Sequence, residues 1–442
     1  MHHRFARLVW VFGLLSLVLS AETVKDREGA VRNDRAALEA DPRWKYNDVE
    51  AGFAEARRTG KPVLVVLRCV PCLACSGIDS QVLLRETDLA PLLDQFVCVR
   101  VINANALDLS LFQFDYDLSF STLFFNGNGT VYGRYGSWTH QKSAQDKTTS
   151  GYKRTLEAVL ALHRGYPANQ EQLSGKQGVP ARFKTPIDIP TLTGKYRLEL
   201  DWNGKVVPSC VHCHQIGDAM RNSYRKNLQP IPIEWIYSWP TSESIGLTFA
   251  EDSTAKITSV VPGSIAARAG FLSGDQFQSF AGQAIVSIAD VSWVLHRAPA
   301  SGRLAAVVLR EGGERPVALN LPENWRTQTD ISQRVGAWSM RGMATGGLML
   351  LDVPNSERKD LALSAIQLAL RVEFVGQYGK HATGKKAGFE KGDMIVELDA
   401  KSDRLTESQW MGYVLQNRKV GEIMHVTVLR GKERLKLQLP SQ

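Results

Sequence analysis

The sequence lacks the patterns that define several large functional classes. It has no run of five or more Lys or Arg residues, and its 53 basic and 45 acidic residues leave a formal charge of +8 over 442 residues. Basic residues spread this thinly indicate a solvated surface, and no nucleic-acid-binding motif accompanies them. Gly-x-Ser-x-Gly is also absent, so a serine-protease function has little support.

Long apolar runs are missing after the first twenty residues, so no later segment is expected to cross a bilayer, which takes about 20 apolar residues. At the N-terminus, a shorter apolar run from Leu8 to Leu19 follows basic residues and precedes Ser20 and Ala21. This is the layout of a secretory signal peptide, with an uncleaved anchor as the alternative. We expect residues 1–21 to be removed, which leaves a periplasmic or otherwise extracytoplasmic protein without a transmembrane segment.

Cysteine is scarce, with six residues in the chain, yet five of them stand in two tight clusters. The first cluster is Cys69-Val70-Pro71-Cys72-Leu73-Ala74-Cys75, and the second is Cys210-Val211-His212-Cys213-His214. Scattered structural cysteines would not fall this way, so the placement indicates thiol or electron chemistry. The sixth, Cys98, lies in an apolar run and is expected to be a buried core residue.

The residues around the first cluster alternate between helix and strand patterns. Apolar spacing predicts a helix over residues 47–58 that ends near Gly60, and another over 152–163. Apolar runs predict strands at 63–67, 96–101 and 122–125, and a turn at 126–129 leads to a return strand at 130–135. This order predicts one α/β domain over residues 40–165, preceded by a polar lead-in over residues 22–45.

The stretch from Lys61-Pro62 through the apolar strand to Cys72 and Cys75 resembles secreted thioredoxin-like domains. The resemblance implies that Cys72 is the attacking thiol at a helix N-terminus and that Cys75 resolves the mixed disulfide. Cys69 would modulate the potential or act as a third partner, and Cys69/Cys72 is an alternative redox pair. The family's cis-proline is replaced here by Ser121. The alternatives for this cluster are a structural disulfide and a zinc or copper site made of three thiolates.

The second cluster has the Cys-x-x-Cys-His spacing that attaches a c-type haem, and it resembles a cytochrome-c-like segment. Two thiols on one helical turn can each add to a vinyl group, while the adjacent histidine reaches the iron. We expect thioether bonds at Cys210 and Cys213 and axial ligation by His214, within a loop-rich linker over residues 166–242. A thiol pair or disulfide, or a zinc site that includes His212, are the alternatives.

Two later stretches, Ala269–Asp275 and Ala387–Asp393, repeat each other and predict two copies of one β-rich module. The first copy, residues 243–322, resembles a bacterial periplasmic PDZ domain. The resemblance implies that Ile245, Gly246 and Leu247 present backbone N–H groups to the carboxylate of a C-terminal peptide. The second copy, residues 346–442, is PDZ-like, with a candidate loop at Leu361-Ala362-Leu363 and a linker over residues 323–345.

Taken in order, these segments resemble bacterial secreted thioredoxin-like/PDZ proteins, some of which carry selenocysteine. The fold class expected is an α/β thioredoxin-like domain followed by β-rich PDZ and PDZ-like domains. The implied function is an extracytoplasmic thiol–disulfide oxidoreductase with covalent haem c, or zinc instead, whose PDZ module binds protein partners with free C-terminal peptides. The rival hypotheses are a non-catalytic PDZ scaffold with structural cysteines and a haem electron-transfer protein.

Overall fold

The structure is a computed structural model that describes residues 26–71, 79, 88–136, 138–140, 143–144 and 148–442. The predicted signal peptide, residues 1–21, and the predicted redox residues Cys72 and Cys75 lie outside the described residues. Within the described part of the chain, no helix has the length and apolar character needed to span a bilayer.

The N-terminal domain is built on a five-stranded sheet in the order β1-β3-β2-β4-β5. Strands β1, β3 and β2 are parallel, whereas β4 and β5 are antiparallel to their neighbours. The predicted strands and helices are confirmed to within three residues. The elements of this domain are α1 (Arg27–Glu39), β1 (Trp44–Tyr46), α2 (Val49–Thr59), β2 (Val63–Arg68), α3 (Ala90–Leu93), β3 (Val97–Val101), β4 (Phe120–Phe125), β5 (Val131–Tyr135), β6 (Trp138–His140), β7 (Ser143–Ala144) and α4 (Thr149–Gly165).

Strand β2 is apolar over most of its length because both of its faces are covered. Leu64 and Val66 belong to a core cluster that includes residues of α4, and Val63, Val65 and Leu67 belong to a second cluster that includes residues of α2. A central strand buried on both sides has no polar face, which explains the continuous apolar run in the sequence. This strand places its C-terminal end, and the cysteine cluster that follows, at one edge of the sheet.

The N-terminal helix α1 was not expected, since residues 22–45 were interpreted as a polar lead-in. That interpretation is wrong, because α1 buries Val31 and Leu38 on one face. Asp26 caps the helix by accepting a hydrogen bond from the Gly29 amide at 2.7 Å. A helix therefore precedes the predicted domain start at residue 40.

The predicted linker over residues 166–242 contains short helices that pack against the N-terminal domain. Its longest helix, α7, begins at Cys213 and ends at Lys226. Ile216 and Met220 of α7 share a core cluster with Leu109 of the N-terminal domain. The helices of this segment are α5 (Glu171–Ser174), α6 (Val206–Ser209), α7 (Cys213–Lys226) and α8 (Ile233–Ile236).

The rest of the described chain contains two β-rich modules. The connecting residues 323–345 are not a bare linker, since they hold a 3-10 turn and helix α11. The first module comprises β8 (Leu247–Phe249), β9 (Ile257–Val260), α9 (Ile265–Ala269), β10 (Gln276–Phe280), β11 (Gln283–Ala284), α10 (Ile288–Arg297), β12 (Gly302–Arg310) and β13 (Gly313–Leu321). Then come α11 (Ala337–Ala344), β14 (Leu348–Asp352), α12 (Asn355–Asp360), β15 (Leu370–Val375), α13 (Thr383–Lys386), β16 (Met394–Leu398), α14 (Glu407–Asn417), β17 (Ile423–Arg430) and β18 (Glu433–Pro440).

The two modules repeat the same ion pair between an arginine and a buried aspartate. In the first, the Arg310 guanidinium contacts both carboxylate oxygens of Asp275 at 2.6 and 2.7 Å. In the second, Arg430 contacts Asp393 in the same bidentate way at 2.7 and 2.8 Å. These are the aspartates that end the repeated sequence stretches, so the sequence repeat has a structural counterpart in both β-rich modules.

The glycine loop of the second module lies where the sequence interpretation did not place it. The structure puts Gly346 and Gly347, with φ of +65° and +87°, directly before β14. The Gly347 carbonyl accepts the Gly376 amide, just as the Gly246 carbonyl accepts the Val261 amide in the first module. Residues 361–363 follow α12 between β14 and β15, and peptide binding by that loop stays a prediction.

Helix α10 of the first module docks on β5, the edge strand of the N-terminal sheet. Asp290 accepts the Arg134 backbone amide at 3.2 Å, and Ser287 donates to the Arg134 carbonyl. The Arg134 guanidinium lies 3.8 Å over the ring of Trp293. The polar groups of an exposed strand edge are thus satisfied by the neighbouring module, which protects that edge.

A histidine at this interface gives the fold an expected pH dependence. His296 stacks on Trp239 with ring centroids 5.1 Å apart, and burial together with Arg326 and Arg297 lowers its pKa to about 3. Since the unfolded chain binds this proton below about pH 6.5, stability should fall as pH decreases, by up to about 2 kcal/mol at pH 5. In His296→Phe, the free energy of unfolding measured in urea should change less between pH 7 and pH 5 than in the wild type. His425→Gln, at an exposed position, should keep the wild-type pH dependence. The same pH dependence in both variants would contradict this assignment.

Candidate active site

The first cysteine cluster begins where the central strand β2 ends. The Cys69 amide donates to the Ser119 carbonyl at 2.9 Å, and the Arg68 guanidinium donates to the same carbonyl at 3.0 Å. Ser119 directly precedes β4, so it is the residue that faces the cluster. Ser121, which we expected there, lies inside β4, where its hydroxyl donates to the Tyr135 carbonyl at 3.3 Å.

The second cysteine cluster lies against the first. The Sγ atom of Cys69 is 3.2 Å from Nδ1 of His212, although 143 residues separate them in sequence. His212 caps the N-terminus of α7, and its amide donates to Oε1 of Gln215 at 2.8 Å. A thiol and an imidazole within hydrogen-bonding distance can share a proton, which is the arrangement that activates a cysteine.

Asn105 fixes this contact from the loop after β3. Its side chain is fully buried, and its Oδ1 accepts the Val211 amide at 2.7 Å. Its Nδ2 donates to the carbonyls of Ser209 and Arg197 at 2.9 and 2.7 Å. One side chain therefore bonds the backbone on both sides of Cys210. Asn105 was not among the residues predicted for the site.

The two cysteines of the second cluster have different surroundings. Cys210 carries a free thiol that donates to the Ile102 carbonyl at 3.2 Å. Burial raises the pKa of Cys210 to about 11, so this thiol is protonated at neutral pH. Cys213, the first residue of α7, lies in the core cluster that also contains Leu67 of β2. The two side chains thus belong to separate apolar clusters.

A buried network of charges lies next to Cys69. Arg68 donates from Nε to Asp79 at 2.9 Å, and Arg100 of β3 donates to the same carboxylate at 2.5 Å. Arg100 also bonds Asp34 of α1 at 2.6 Å. Burial alone would raise the pKa of Asp79, but Arg100 and Arg68 outweigh that effect and hold it below its usual range. Asp79 is therefore a fixed anion beside the first cysteine cluster.

A family comparison identifies this domain. Residues 44–127 match the family model of a thioredoxin-like family, Thioredoxin_7. Residues 44–127 form a thioredoxin-like domain. A search of curated proteins found no match. Among solved structures, an HtrA-type protease, AlgWS227A with decapeptide, matches at 14% identity and a TM-score of 0.19, with 31% of this chain and 40% of that chain covered. At that TM-score the likeness carries no statement about fold or function.

The expected haem attachment can be tested against the positions of its three residues. A covalent haem needs both sulfur atoms and the histidine on one face of the porphyrin. Here Cys210 and Cys213 pack in separate clusters, and the cavity that both line has a volume of only about 30 Å³. His214 does not line that cavity, and its Nδ1 lies 3.8 Å from Asp218. In this arrangement the residues do not fit a covalently bound porphyrin.

The alternative zinc site is not assembled either. Its predicted ligands were Cys210, His212, Cys213 and His214, but His212 faces Cys69. Across the described ranges, no three His, Cys, Asp or Glu side chains gather closely enough to hold a metal ion.

The predicted peptide-binding loop of the first module is packed. The side chains of Ile245 and Leu247 are buried, and the Gly246 amide donates to the Glu243 carbonyl at 3.0 Å. Gly246 has φ +86°, and a Cβ there would lie 2.2 Å from Ser264. Helix α10 of the same module is buried at every residue from 288 to 295. Peptide binding by this loop stays a prediction.

Proposed function

We propose that this chain is an extracytoplasmic thiol–disulfide oxidoreductase whose redox thiols are Cys69, Cys72 and Cys75. The observation that carries the proposal is the 3.2 Å contact between Cys69 Sγ and His212 Nδ1 at the end of the central strand. A thioredoxin-like domain with a paired thiol and imidazole at this edge has the parts needed for disulfide exchange.

The proposed reaction begins when the thiolate of Cys72 attacks a substrate disulfide. A mixed disulfide forms, and one substrate thiolate leaves. The Cys75 thiolate then attacks the Cys72 sulfur, releases the second substrate thiol, and closes a disulfide within the motif, so two electrons pass to the substrate. His212 can take the Cys69 proton, which makes Cys69 a third thiolate available to this exchange.

The test is reduction of insulin by the reduced full-length protein. Cys72→Ser should lose the activity down to the rate of reductant alone, because no mixed disulfide can form. Cys75→Ser should accumulate the mixed disulfide with the substrate. Cys98→Ala is the matched control, since Cys98 is fully buried and burial raises its pKa to about 12. Equal activity in Cys72→Ser and Cys98→Ala would refute the proposal.

A further inference from the structure

A cavity of about 210 Å³ lies where the N-terminal domain, the segment after it and the first β-rich module meet. Its walls are the loop between β3 and β4, residues 179–183, one face of α7, α8 with the residues after it, and the end of α10. Six of the side chains that line it are aromatic: Phe114, Tyr116, Phe183, Tyr224, Trp235 and Trp239. An apolar cavity of about 150 Å³ holds benzene, so this cavity has room for a ligand of one or two aromatic rings.

Two nearly buried side chains in these walls carry an N–H group without an acceptor in the described chain. Trp239 is 6% exposed, and its indole N–H makes no hydrogen bond to another described residue. Arg221 is 2% exposed. Its guanidinium donates to Asp218 at 2.8 Å and to the Trp235 carbonyl at 3.1 Å, but its buried Nε–H has no partner among the described residues. A donor left unpaired in this way costs free energy, which a ligand with oxygen acceptors would offset.

A third donor lies at the end of α10. Nδ1 of His296 accepts the Trp239 backbone amide at 3.3 Å, and burial, with Arg326 and Arg297, lowers the pKa of His296 to about 3. A neutral imidazole that accepts at Nδ1 carries its proton on Nε2. This Nε2–H group makes no hydrogen bond to the described residues. The polar groups that the walls leave unpaired thus include three N–H donors, beside aromatic rings.

The acidic side chains in the walls already have a partner. Asp115 and Asp117, from the loop between β3 and β4, are both bound by the guanidinium of Arg334, which lies 2.9 Å from Asp117. Arg334 is itself 5% exposed, so this cluster of charges is part of the protein interior. A cationic ligand would therefore have to compete with Arg334 for these carboxylates.

The free charges around the cavity are mainly positive. Arg182 and Arg297 are exposed, line the cavity and have no ion pair among the described residues. The Arg182 guanidinium lies 5.0 Å from the ring of Tyr224, where a cation and an aromatic face attract each other. Glu234 is the exposed carboxylate that opposes these two arginines. Two free guanidinium groups against one free carboxylate favour an anionic ligand.

We propose that this cavity binds a small aromatic carboxylate, a molecule of one or two fused rings that carries one anionic group. The rings pack among the aromatic side chains of the walls, where offset and edge contacts add to the gain from burial. The carboxylate accepts hydrogen bonds from the unpaired N–H donors, which are stronger for a charged acceptor than for a neutral one. The lining of this cavity contains no cysteine, so the site does not depend on thiol chemistry.

The test is equilibrium dialysis of 2-naphthoate against the full-length protein, with 2-naphthamide as the uncharged analogue of similar shape. The wild type should bind 2-naphthoate saturably at one site per chain. It should bind 2-naphthamide about tenfold more weakly, because the amide lacks the charge that strengthens the hydrogen bonds. Binding should also shift the indole N–H signal of Trp239 in a proton–nitrogen correlation NMR spectrum, where Trp239→Phe identifies that signal by its loss.

Three variants locate the site. Trp239→Phe keeps an aromatic ring and removes the donor, so 2-naphthoate should bind about tenfold more weakly. Ala181→Trp adds a large side chain at a half-buried loop position of the wall and should abolish binding. Arg182→Gln removes a free cation and should weaken binding about threefold. Arg303→Gln is its matched control, since Arg303 is also exposed and without an ion pair in the described chain but does not line the cavity.

The proposal is overturned if the folded wild type shows no saturable binding of 2-naphthoate. Binding that stays at the wild-type level in both Trp239→Phe and Ala181→Trp would place the ligand elsewhere. Equal affinity for 2-naphthoate and 2-naphthamide would show that the site does not recognise a carboxylate. Should Trp239→Phe fail to fold by circular dichroism, Ala181→Trp and the comparison of Arg182→Gln with Arg303→Gln decide the question. Insulin reduction is measured separately, so a failure of the proposed function and a failure of this site are distinguishable.

Discussion

Lys176→Met is expected to lower the free energy of unfolding by about 3–5 kcal/mol, since it leaves a buried carboxylate without its partner. The Lys176 ammonium lies 2.5 Å from Oδ2 of Asp290, and both side chains are almost completely buried. Burial lowers the pKa of Lys176, and Asp290 only partly offsets this, so the pair itself adds little stability. The large loss comes from the isolated charge of Asp290, and urea unfolding measures it.

A second variant separates charge from packing. Asp290→Asn in the Lys176→Met background removes the isolated charge and still provides one acceptor for the Arg134 amide, so it should recover about half of the loss. Arg434→Met, which breaks an exposed pair with Glu397 at 3.3 Å, should change stability by less than about 1 kcal/mol. A Lys176→Met loss as small as that of Arg434→Met would show that Asp290 is not isolated in the folded state.

The thioredoxin-like domain was predictable because its strands are buried on both faces. Val63 to Leu67 read as one apolar run, and Gly60, with φ +73°, ends the preceding helix where glycine is favoured. Helix α1 was missed because only two of its 13 residues, Val31 and Leu38, are buried. Its place in the fold depends on the tertiary bond between Asp34 and Arg100, which no local pattern reveals.

The candidate site was predictable in parts. Spacing selected both cysteine clusters, but spacing alone cannot show that His212 faces Cys69 across 143 residues. The order of the strands could also have placed Asn105 near Cys69. Parallel strands β2 and β3 end at the same edge of the sheet, so Cys69 and Asn105, which follow their C-terminal ends, were bound to lie on the same side. The haem expectation came from a five-residue motif, and the packing of Cys210 and Cys213 in separate clusters could not be derived from it.

In the repeated modules, too, some features could be predicted from the sequence and others could not. The repeated Asp275 and Asp393, with their arginine partners, were visible as sequence repeats because they maintain each module internally. The burial of α10 was not visible, since it depends on contacts between Asp290 and a different domain. Resemblance to an isolated domain therefore does not show which of its helices a neighbouring domain covers.

The second large effect is expected from Arg100→Met, which should lower the free energy of unfolding by about 3–5 kcal/mol at pH 7. Arg100 is fully buried and bonds Asp79 at 2.5 Å and Asp34 at 2.6 Å. Without it, Asp79 keeps its bond to Arg68, and Asp34 keeps the hydrogen bond from the Tyr46 hydroxyl at 3.0 Å. Because Asp79 is also tied to the strand that leads into Cys69, insulin reduction should fall in this variant.

The pH dependence of the Arg100→Met loss distinguishes buried charge from lost packing. In the wild type the pKa of Asp79 is held low. The ion pairs of Asp79 therefore stabilise the fold at pH values above the pKa that Asp79 has in the unfolded chain. This stabilisation is lost as the pH falls through the lower pKa of the folded state. In Arg100→Met the burial of Asp79 is opposed by Arg68 without Arg100, so the pKa of Asp79 is higher than in the wild type. Protonation of Asp79 in the folded state then removes the buried charge as the pH falls. The difference between variant and wild type should therefore shrink from pH 7 to pH 5. Arg100→Lys keeps the positive charge without the planar guanidinium, so its loss in free energy of unfolding should be smaller than that of Arg100→Met. A difference between Arg100→Met and the wild type that grows on acidification would show that packing, and not charge, determines the loss.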